Sequence, residues 1–434
     1  IKAPFTIFKD TYKVLPWHYL QIDKNNNIKE NKYWDICNSI NEEKIKTSFD
    51  DTLLKYEKEL TESIKLRMVS DVPIWSFLSW WTDSSLVTSI MQKISNKKVN
   101  TFTIWFDNKK FNEAWTAKKI SKILGTNHTE LICTWKDALD MVENLPNVYD
   151  EPFADSSAVP TLLLSKLTKS KLTVALSADW WDEFFYWYPR YYFTEKTLKI
   201  LSFLPLKILI NLLPSKLLNN FLNNWYFFDK IEKLKSVVNE KDEVTKYNLT
   251  CSYFLPNEIS NLLNSNYKNF NNDVNNSEDL KLYEQMMLND VNRYLPDDIM
   301  TKVDRATMHY SLESREPLLD HKLLEFAVKI PFKYKYKDWT SKYLMKKLLE
   351  KYLPKEIIYR PKKGFSVPMH NWIKNDLKNL CLDKLSYDKV KNIPCLNNNS
   401  VQKLVNDFYN NKWINPYKIW LLINFVMWYE KYMY

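Results

Sequence analysis

The chain has 434 residues, enough for two or three domains, and its hydrophobic content of 45% is ordinary for a folded protein. Its net charge of +10 comes from 62 basic and 52 acidic residues spread along the chain, which indicates mild attraction for anions such as nucleotides and disfavours nucleic-acid binding. Five cysteines without a CxxC pair argue against a zinc site or disulfide framework, and no run reaches 18 apolar residues, so we expect a protein of the reducing cytoplasm without a membrane span.

The predicted elements begin with a long amphipathic helix over residues 41–68, in which apolar residues recur at helical spacing between charges. Short apolar runs and helical patterns then alternate. We predict strands in VPIWSFLS, VNTFTIWF, HTELIC and LTVALS, and helices in DSSLVTSIMQKIS, NEAWTAKKISKILG, KDALDMVENL and SAVPTLLLSKLTKS. Beyond about residue 195 the pattern is helical, with packed apolar helices over residues 198–218 and a polar surface loop over residues 257–277.

Strands that alternate with helices of this length predict a parallel sheet with helices on both faces, followed by a mostly helical C-terminal part. Functional sites in such sheets lie at the carboxyl ends of the strands. Two tryptophan doublets, Trp80 with Trp81 and Trp180 with Trp181, directly follow predicted strands. They therefore fall at the edge where a site is expected.

Glycine is scarce in this chain. It has 2 glycines against 17 tryptophans, whereas average usage would give about 30 glycines. A fold of this size needs backbone positions with positive φ, which glycine adopts without steric hindrance. Asparagine can fill some of these positions but not all, so the composition conflicts with ordinary turn chemistry.

The stretch SFLSWWTDSS, residues 76–85, resembles the pyrophosphate-binding loop SGGxDS of the asparagine synthetase family, with tryptophan at both glycine positions. The similarity continues through TFTIWF, FNEAWTAKKISKILGTNHTEL, NVYDEPFADSSAVPT, VALSADWWDEFFYWYPRY, YLPDDIMTKVDRATMHYSLESREPLLDH and RPKKGFSVPM. It extends from Phe5 to the end of the chain and so does not depend on one pattern.

Many tryptophans stand where that family usually has glycine. These are Trp17, Trp75, Trp80, Trp81, Trp105, Trp180, Trp181, Trp187 and Trp339, whereas Trp34, Trp372, Trp420 and Trp428 fall at aromatic positions, and Trp115, Trp135, Trp225 and Trp413 fit neither set. We hypothesise that the gene uses UGA for glycine and that UGA was translated as tryptophan. The Asn- and Lys-rich composition fits an AT-rich genome that would use such a codon often. The alternatives are a diverged, inactive paralogue and a deliberately altered sequence.

The resemblance implies an ATP pyrophosphatase-type (PP-loop) α/β domain, related to adenine nucleotide alpha hydrolases, that converts aspartate to asparagine. The side-chain carboxylate would attack the α-phosphorus of ATP to give β-aspartyl-AMP and pyrophosphate, and ammonia would then displace AMP. The implied cofactors are ATP and Mg²⁺. The implied partners are aspartate and ammonia, which glutamine-dependent members draw from glutamine in an amino-terminal domain, and a homodimer is compatible with the resemblance.

For the nucleotide site, the resemblance implies residues at the carboxyl ends of three strands. They are Leu78, Ser79, Trp80, Trp81, Thr82, Asp83, Ser84, Ser85, Ile104, Ser177 and Ala178. A serine-rich helix start is also an ordinary N-cap, and Leu78 and Ile104 also suit a strand core. Literal indoles at Trp80 and Trp81 would stand where phosphate oxygens approach the backbone, so the chain as printed should bind ATP poorly.

The same resemblance implies the catalytic and metal-binding residues. Asp83 and Asp182 would hold Mg²⁺, because two carboxylates beside a polyanion need a cation between them. Lys362, with Lys363 as the neighbouring alternative, matches a lysine that stabilises charge on the α-phosphate. Asp179 matches an acidic residue that assists ammonia, although many members have the longer glutamate there.

Four charged residues in KVDRATMHYSLESREP have two interpretations, aspartate recognition or a buried ion-pair scaffold. We favour the scaffold for Glu313 and Arg315 and leave the choice open for Asp304 and Arg305.

Along the chain we predict three segments: a remnant of a glutaminase domain and linker (1–40), an ATP pyrophosphatase-type core (41–195), and the helical remainder with the Lys362 loop (196–434). We expect a fragment of a larger protein, because the start resembles the last strands of that glutaminase domain. Two other functions stay open. One is a non-catalytic paralogue with a tryptophan-plugged nucleotide site, and the other is an acyl-adenylating amidotransferase with a different substrate.

Overall fold

The computed structural model describes residues 1–106, 114–178, 181–186, 188–201, 225–264, 280–360, 367–412 and 414–433. Most of the apolar stretch at 198–218 lies outside these residues, as does the greater part of the polar stretch at 257–277. Within the described part, no helix combines the length and the apolar character needed to cross a membrane.

The elements of the described residues follow in chain order. The strands are β1 (His18–Ile22), β2 (Ile28–Lys32), β3 (Ile74–Phe77), β4 (Asn100–Phe106), β5 (Asn127–Cys133), β6 (Val174–Leu176), β7 (Glu313–Arg315), β8 (Tyr336–Lys337) and β9 (Thr340–Ser341). The helices are α1 (Ile36–Ile40), α2 (Phe49–Arg67), α3 (Thr82–Ile94), α4 (Ala114–Leu124), α5 (Trp135–Leu139), α6 (Leu145–Val148), α7 (Ala158–Lys169), α8 (Pro189–Leu201), α9 (Trp225–Asn239), α10 (Glu243–Cys251), α11 (Pro256–Leu262), α12 (Leu282–Asn289), α13 (Thr301–His309), α14 (His321–Lys329), α15 (Phe332–Lys335), α16 (Tyr343–Leu349), α17 (Lys355–Ile358), α18 (Met369–Asn371), α19 (Lys378–Lys384), α20 (Tyr387–Val390), α21 (Asn398–Tyr409) and α22 (Pro416–Tyr432). Short 3₁₀ turns (Val142–Asn144, Pro317–Leu319) and π-helical segments (Asp290–Met300, Trp372–Asp376) complete them.

A five-stranded parallel sheet forms the centre of the fold, in the order β5–β4–β3–β6–β7. The predicted α/β class and the four predicted strands, β3 to β6, are confirmed. From β3 the chain proceeds outward to β4 and β5 and then returns to β6 on the other side of β3. The strand order reverses between β3 and β6. Because parallel crossovers are right-handed almost without exception, these two opposite directions are expected to place helices on both faces.

Three predictions about the elements were wrong. The edge strand β7 was missed, because three partly exposed polar residues carry no periodic signal; pairing with β6 makes them a strand. The single helix expected in KDALDMVENL is broken into α5, a 3₁₀ turn and α6, which has Pro146 in its first turn. The loop expected from residue 257 begins instead as α11, where the Glu258 carboxylate accepts from the Leu255 N–H at 3.0 Å.

The long N-terminal helix also starts later than predicted. Ser48 caps α2 by accepting from the Asp51 N–H at 3.1 Å, and two acidic residues follow in the first turn. Ile45, which we included in the apolar stripe, lies before this cap and donates its N–H to the Lys329 carbonyl at 2.9 Å. The capping signal therefore outweighs hydrophobic spacing at this end.

The chain forms two compact units. Unit 1 comprises Ile1–Val142, Ser157–Tyr188 and Asp290–Phe365, and unit 2 comprises Glu143–Ser156, Pro189–Asn289 and Ser366–Tyr434. Unit 1 holds the sheet, whose core includes Phe102 and Ala175, and in unit 2 the buried α22 is a central element. The predicted divisions after residues 40 and 195 stay predictions, since compactness does not reveal the origin of a segment.

Candidate active site

The first residue after β3 is held by β4. The Leu78 N–H donates to the Phe102 carbonyl at 2.9 Å, and the Thr103 hydroxyl donates to the Leu78 carbonyl. Leu78 is buried, and Ile104 packs against the sheet core. These contacts fit the strand-core interpretation of both residues, and a role of their backbones at adenine stays a prediction.

Serine side chains close the loop onto the start of α3. Ser84 Oγ lies 2.6 Å from Ser79 Oγ and accepts from the Ser79 N–H at 3.1 Å. The helix begins at Thr82 with Trp81 at its N-cap, and an indole carries no acceptor that could cap it. The serines thus do not form an ordinary N-cap here. The first-turn N–H groups have no intrahelical acceptors, which makes this helix start suited to an anion.

Two indoles occupy the middle of the same loop. The ring centroids of Trp80 and Trp81 are 5.6 Å apart in an edge-to-face arrangement. The Trp80 Nε1 is buried and has no hydrogen-bond partner among the described residues. Leaving a buried donor unpaired is unfavourable by about 1–3 kcal/mol. The loop therefore carries a polar group that its surroundings do not satisfy.

The loop after β6 begins with Ser177 and Ala178 at the neighbouring strand end. Ser177 is buried and donates its N–H to the Arg315 carbonyl at 3.0 Å, and Ala178 is half-buried. The predicted catalytic residues Asp179 and Lys362 lie outside the described residues, so their roles stay predictions.

The two predicted metal ligands, Asp83 and Asp182, meet at one lysine. The Lys342 Nζ lies 2.7 and 2.6 Å from the two carboxylate oxygens of Asp83, and it also forms an ion pair with Asp182 Oδ1. The lysine side chain is 2% exposed, and those of the aspartates are 13% and 27% exposed. The first turn of α3, which follows β3, and the loop after β6 thus bring together two carboxylates at the point where the strand order reverses.

The charges of this cluster shift the pKa values of Asp83 and Lys342. Burial raises the pKa of Asp83, and the adjacent Asp182 adds to this effect, while the Lys342 ammonium opposes it. Burial alone would lower the pKa of Lys342, but the two aspartates outweigh it and raise that pKa. The three groups are therefore an interdependent ionic cluster.

Sequence reasoning missed Lys342. It is the residue before α16, with φ of 54°, and a cation at the start of a helix opposes the helix dipole. That anomaly was the only local signal, and it is weak. The residue lies 259 positions from Asp83 in the chain, so only the tertiary structure brings them together.

Two further ionisable groups lie close to this cluster. Burial first, and then the Asp182 carboxylate, raise the pKa of Glu183 to about 8; its Oε1 accepts from the Tyr188 hydroxyl at 2.8 Å. Burial and the neighbouring Lys342 lower the pKa of Lys346 to about 8. Both groups were absent from our predicted site.

The four charged residues left between two interpretations separate into two pairs. Arg315 Nε lies 2.6 Å from Glu313 Oε1, and its guanidinium donates to the Val69 carbonyl at 2.6 Å, so Arg315 links β7 to the end of α2. The Glu313 side chain is 53% exposed, however, so this ion pair is not the buried scaffold that we expected. Asp304 and Arg305 form a 3.1 Å ion pair with side chains 60% and 48% exposed, so this pair is not a buried scaffold.

The donor set at this site suits a magnesium ion held together with phosphates. Mg²⁺ is usually bound through one or two carboxylates plus substrate phosphate oxygens, and Asp83 and Asp182 reach one common cation. Among the described residues, no cluster of three or more acidic, histidine or cysteine side chains could bind a metal by itself. The geometry therefore fits a metal that arrives with a polyanion.

Comparison with known proteins supports the resemblance seen in the sequence. A family model described as asparagine synthase matches residues 55–430. The chain is 26% identical over 449 aligned positions, covering 99% of it, to asparagine synthetase [glutamine-hydrolyzing] 1 of Bacillus subtilis, and 27% identical over 391 positions, covering 84% of it, to asparagine synthetase [glutamine-hydrolyzing] 3 of the same organism. It is 21% identical over 459 positions, covering 92% of it, to amidase chyE of Penicillium rubens.

The chain spans 67% and 55% of the lengths of the two Bacillus subtilis proteins and 65% of the amidase. The family model, in contrast, covers most of this chain, including β3 to β7, α16 and both aspartates. On this match the chain belongs to the asparagine synthase family.

Proposed function

We propose that the protein is a ligase that forms a C–N bond, converting aspartate to asparagine with ATP. An oxygen of the aspartate side-chain carboxylate attacks the α-phosphorus, forming β-aspartyl-AMP and releasing pyrophosphate. Ammonia then attacks the acyl carbon, AMP leaves, and the nitrogen loses a proton. The observation that carries this proposal is the convergence of Asp83 and Asp182 beside the N-terminus of α3, at the switch point of the sheet.

The residues of this corner have separate tasks in the proposal. The backbone N–H groups at the start of α3 bind pyrophosphate oxygens, with the positive end of the helix dipole behind them. Asp83 and Asp182 would hold Mg²⁺, which supplies charge neutralisation of the phosphates. Lys362 is proposed to stabilise charge on the α-phosphate and Asp179 to assist ammonia, both from the resemblance alone.

Ammonia is proposed to come from glutamine, as the names of the two Bacillus subtilis relatives indicate for those proteins. Free ammonia can replace it in an assay, because it is the species that attacks the intermediate. We further propose a cytoplasmic protein and, from the family resemblance, a homodimer.

The direct test supplies the chain with aspartate, ATP, Mg²⁺ and ammonium, and measures asparagine and AMP by mass spectrometry. Equal amounts of asparagine and AMP would support the proposal. AMP without asparagine would mean that water hydrolyses the adenylate or ATP and that aspartate is not amidated, which would reject the aspartate assignment. The variants Asp83→Asn and Asp182→Asn should abolish both products, whereas Asp388→Asn, on an exposed ion pair with Lys391, should retain them.

The tryptophans at expected glycine positions decide whether this chemistry can occur, and two turns bear on their nature. In the first, Leu15–His18, the His18 N–H donates to the Leu15 carbonyl at 3.1 Å, with Pro16 second and Trp17 third at φ of 67°. Proline followed by positive φ is the signature of a type II turn, which calls for glycine in the third position. The Trp17 Nε1 is also buried without a partner among the described residues.

The second turn joins the antiparallel strands β8 and β9. Asp338 and Trp339 are its two residues, with φ of 47° and 60°. Two-residue hairpins with positive φ at both positions strongly prefer Asn-Gly or Asp-Gly. A bulky residue with positive φ is a genuine outlier, so aspartate followed by glycine is the sequence expected here.

We infer from these turns that Trp17 and Trp339 are glycine in the native polypeptide, and we extend this to Trp80 and Trp81. The second candidate function, a non-catalytic paralogue, is favoured by the indoles of that loop if they are literal. Peptide mass spectrometry of the native protein over residues 76–87 separates the two. A peptide mass with glycine at positions 80 and 81 would mean that the phosphate loop is open. A mass with tryptophan at both positions would reject the catalytic proposal.

A further inference from the structure

We propose that Lys342 is an internal counter-ion that holds Asp83 and Asp182 together in the nucleotide-free protein and competes with a divalent cation for them. This inference deepens the proposed function and rests on it for the identity of the metal. It assigns a positioning role to a residue that neither the sequence motifs nor the comparisons single out.

The first support is geometric. One nitrogen atom contacts both oxygens of Asp83, at 2.7 and 2.6 Å, and Oδ1 of Asp182. Carboxylates that share one ammonium are close enough to share one metal ion, so the ammonium stands at or beside the place that a bridging cation would take. A metal ion and the ammonium nitrogen cannot both occupy that place.

The second support is the charge balance of a site removed from water. The Lys342 side chain is 2% exposed, and two carboxylates face it. Without a cation between them, two such carboxylates would repel each other and lose hydration, which is strongly unfavourable. Two negative charges against one positive charge also leave an excess that a divalent cation would neutralise better than an ammonium does.

The third support is the way the backbone places this lysine. Lys342 follows the β8–β9 hairpin at φ of 54°, and its carbonyl accepts from the Lys346 N–H at 2.9 Å, so it begins α16. Leu344 and Leu348 of that helix are fully buried. A non-glycine residue in this region is retained only where its surroundings enforce it, which is typical of functional positions.

The choice of lysine has a mechanical consequence. Its ammonium sits on a flexible four-carbon stem, so it can withdraw from the carboxylates without movement of the backbone. Metal alone must displace it against two ion pairs, whereas metal bound to a nucleotide brings negative phosphates that also attract the ammonium. We therefore expect weak binding of the free metal and much tighter binding of the metal with its nucleotide.

The test is a titration of the nucleotide-free protein with Mn²⁺, in which electron paramagnetic resonance measures the free metal. The protein carries glycine or tryptophan at positions 80 and 81, whichever the peptide masses establish. Lys342→Met, which keeps the stem but removes the charge, should bind Mn²⁺ at least tenfold more tightly than the parent. Lys342→Arg should bind as weakly as the parent. Lys347→Met is the matched control, since this lysine of α16 pairs with Glu350 at 2.8 Å outside the cluster. Equal affinity in Lys342→Met and the parent would overturn the proposal.

Thermal unfolding covers the case in which Lys342→Met folds poorly. If Lys342 is a counter-ion, Lys342→Met should have a lower melting temperature than the parent in the presence of a chelator. Added Mn²⁺ should restore most of that lost melting temperature. A loss that Mn²⁺ does not restore would mark a purely structural lysine and overturn the proposal. Lys342→Met combined with Asp182→Asn, which restores the charge balance, should melt near the parent in the chelator.

Neither measurement uses aspartate or ammonia. If Lys342→Met binds Mn²⁺ more tightly than the parent but the protein forms no asparagine, the counter-ion role is supported and the proposed reaction is rejected. If the protein forms asparagine but Lys342→Met and the parent bind Mn²⁺ equally, the reaction is supported and the counter-ion role is rejected.

Discussion

The tryptophans of the helical unit and those at the turns and phosphate loop of unit 1 occupy opposite environments. In unit 2, the buried Trp420 and Trp428 donate their indole N–H groups to the carbonyls of Ala154 and Asp150 at 2.9 and 2.8 Å. In unit 1, by contrast, Trp17 and Trp80 bury indole nitrogens without partners among the described residues, and Trp339 is 79% exposed at positive φ. The indole N–H groups of the first pair are satisfied by carbonyls, whereas the second group combines unpaired indole nitrogens with positive φ.

Trp181 shows that position in a motif is not a sufficient criterion. It also stands at an expected glycine position, yet it is fully buried, donates to the Leu318 carbonyl at 2.7 Å and stacks on Phe185 at 4.6 Å. The structure accommodates this indole. The contrast between the two groups therefore rests on φ and on unpaired donors.

The largest expected effect is on nucleotide binding. In the chain as printed, replacing both Trp80 and Trp81 with glycine should strengthen ATP binding in Mg²⁺ by ~100-fold or more, equivalent to about 2.7 kcal/mol, because backbone N–H groups become accessible to phosphate oxygens. Isothermal titration calorimetry measures it. Trp115→Gly, at a 66% exposed position, is the control that should leave the affinity unchanged. An unaltered affinity in the double variant would mean that the indoles do not block the loop.

The next effect is on the stability of unit 2. Trp420→Ala should lower the free energy of unfolding by about 3–5 kcal/mol, because it leaves a cavity and removes the donor to Ala154. Denaturant titration followed by circular dichroism measures this loss. The matched change Trp339→Ala removes an exposed indole and should have little effect. Similar losses at both positions would contradict the contrast.

A smaller effect of opposite sign is expected at the β8–β9 hairpin. Trp339→Gly should raise the free energy of unfolding by about 1 kcal/mol, because the left-handed conformation penalises a residue with a Cβ atom by roughly 1–2 kcal/mol and glycine recovers most of it. Trp339→Ala keeps the Cβ atom and should not show the gain. Stability that falls in the glycine variant would show that the indole contributes to the turn.

The smallest effect isolates the indole N–H. Trp428→Phe retains an aromatic ring but loses the donor to Asp150, and should lower the free energy of unfolding by about 1 kcal/mol. Trp80→Phe removes a donor that has no partner among the described residues, so it should not destabilise the protein. Equal losses in both variants, measured by thermal unfolding, would mean that the Trp80 N–H is satisfied in solution.

Much of the site-bearing edge could be predicted from the sequence. Apolar runs indicated β3 to β6, and alternation with helices indicated that they pair in parallel. The segments that follow β3 and β6, which carry Asp83 and Asp182, therefore had to begin at the same edge of the sheet. The residues after each strand were therefore predictable as a group. These features depend on local pattern and on topology rules that hold for any parallel sheet.

Other features were decided by tertiary structure alone. Strand β7 exists only because β6 pairs with it, and Lys342 reaches Asp83 across 259 positions. The composition showed that glycine is scarce, but it could not show which tryptophans stand at positions that need glycine. Only the positive φ at Trp17 and Trp339 shows where the backbone conformation disfavours a side chain. Periodicity records which face of an element is buried, whereas long-range ion pairs and backbone dihedrals are set by the packing of segments far apart in the chain, and no local pattern encodes them.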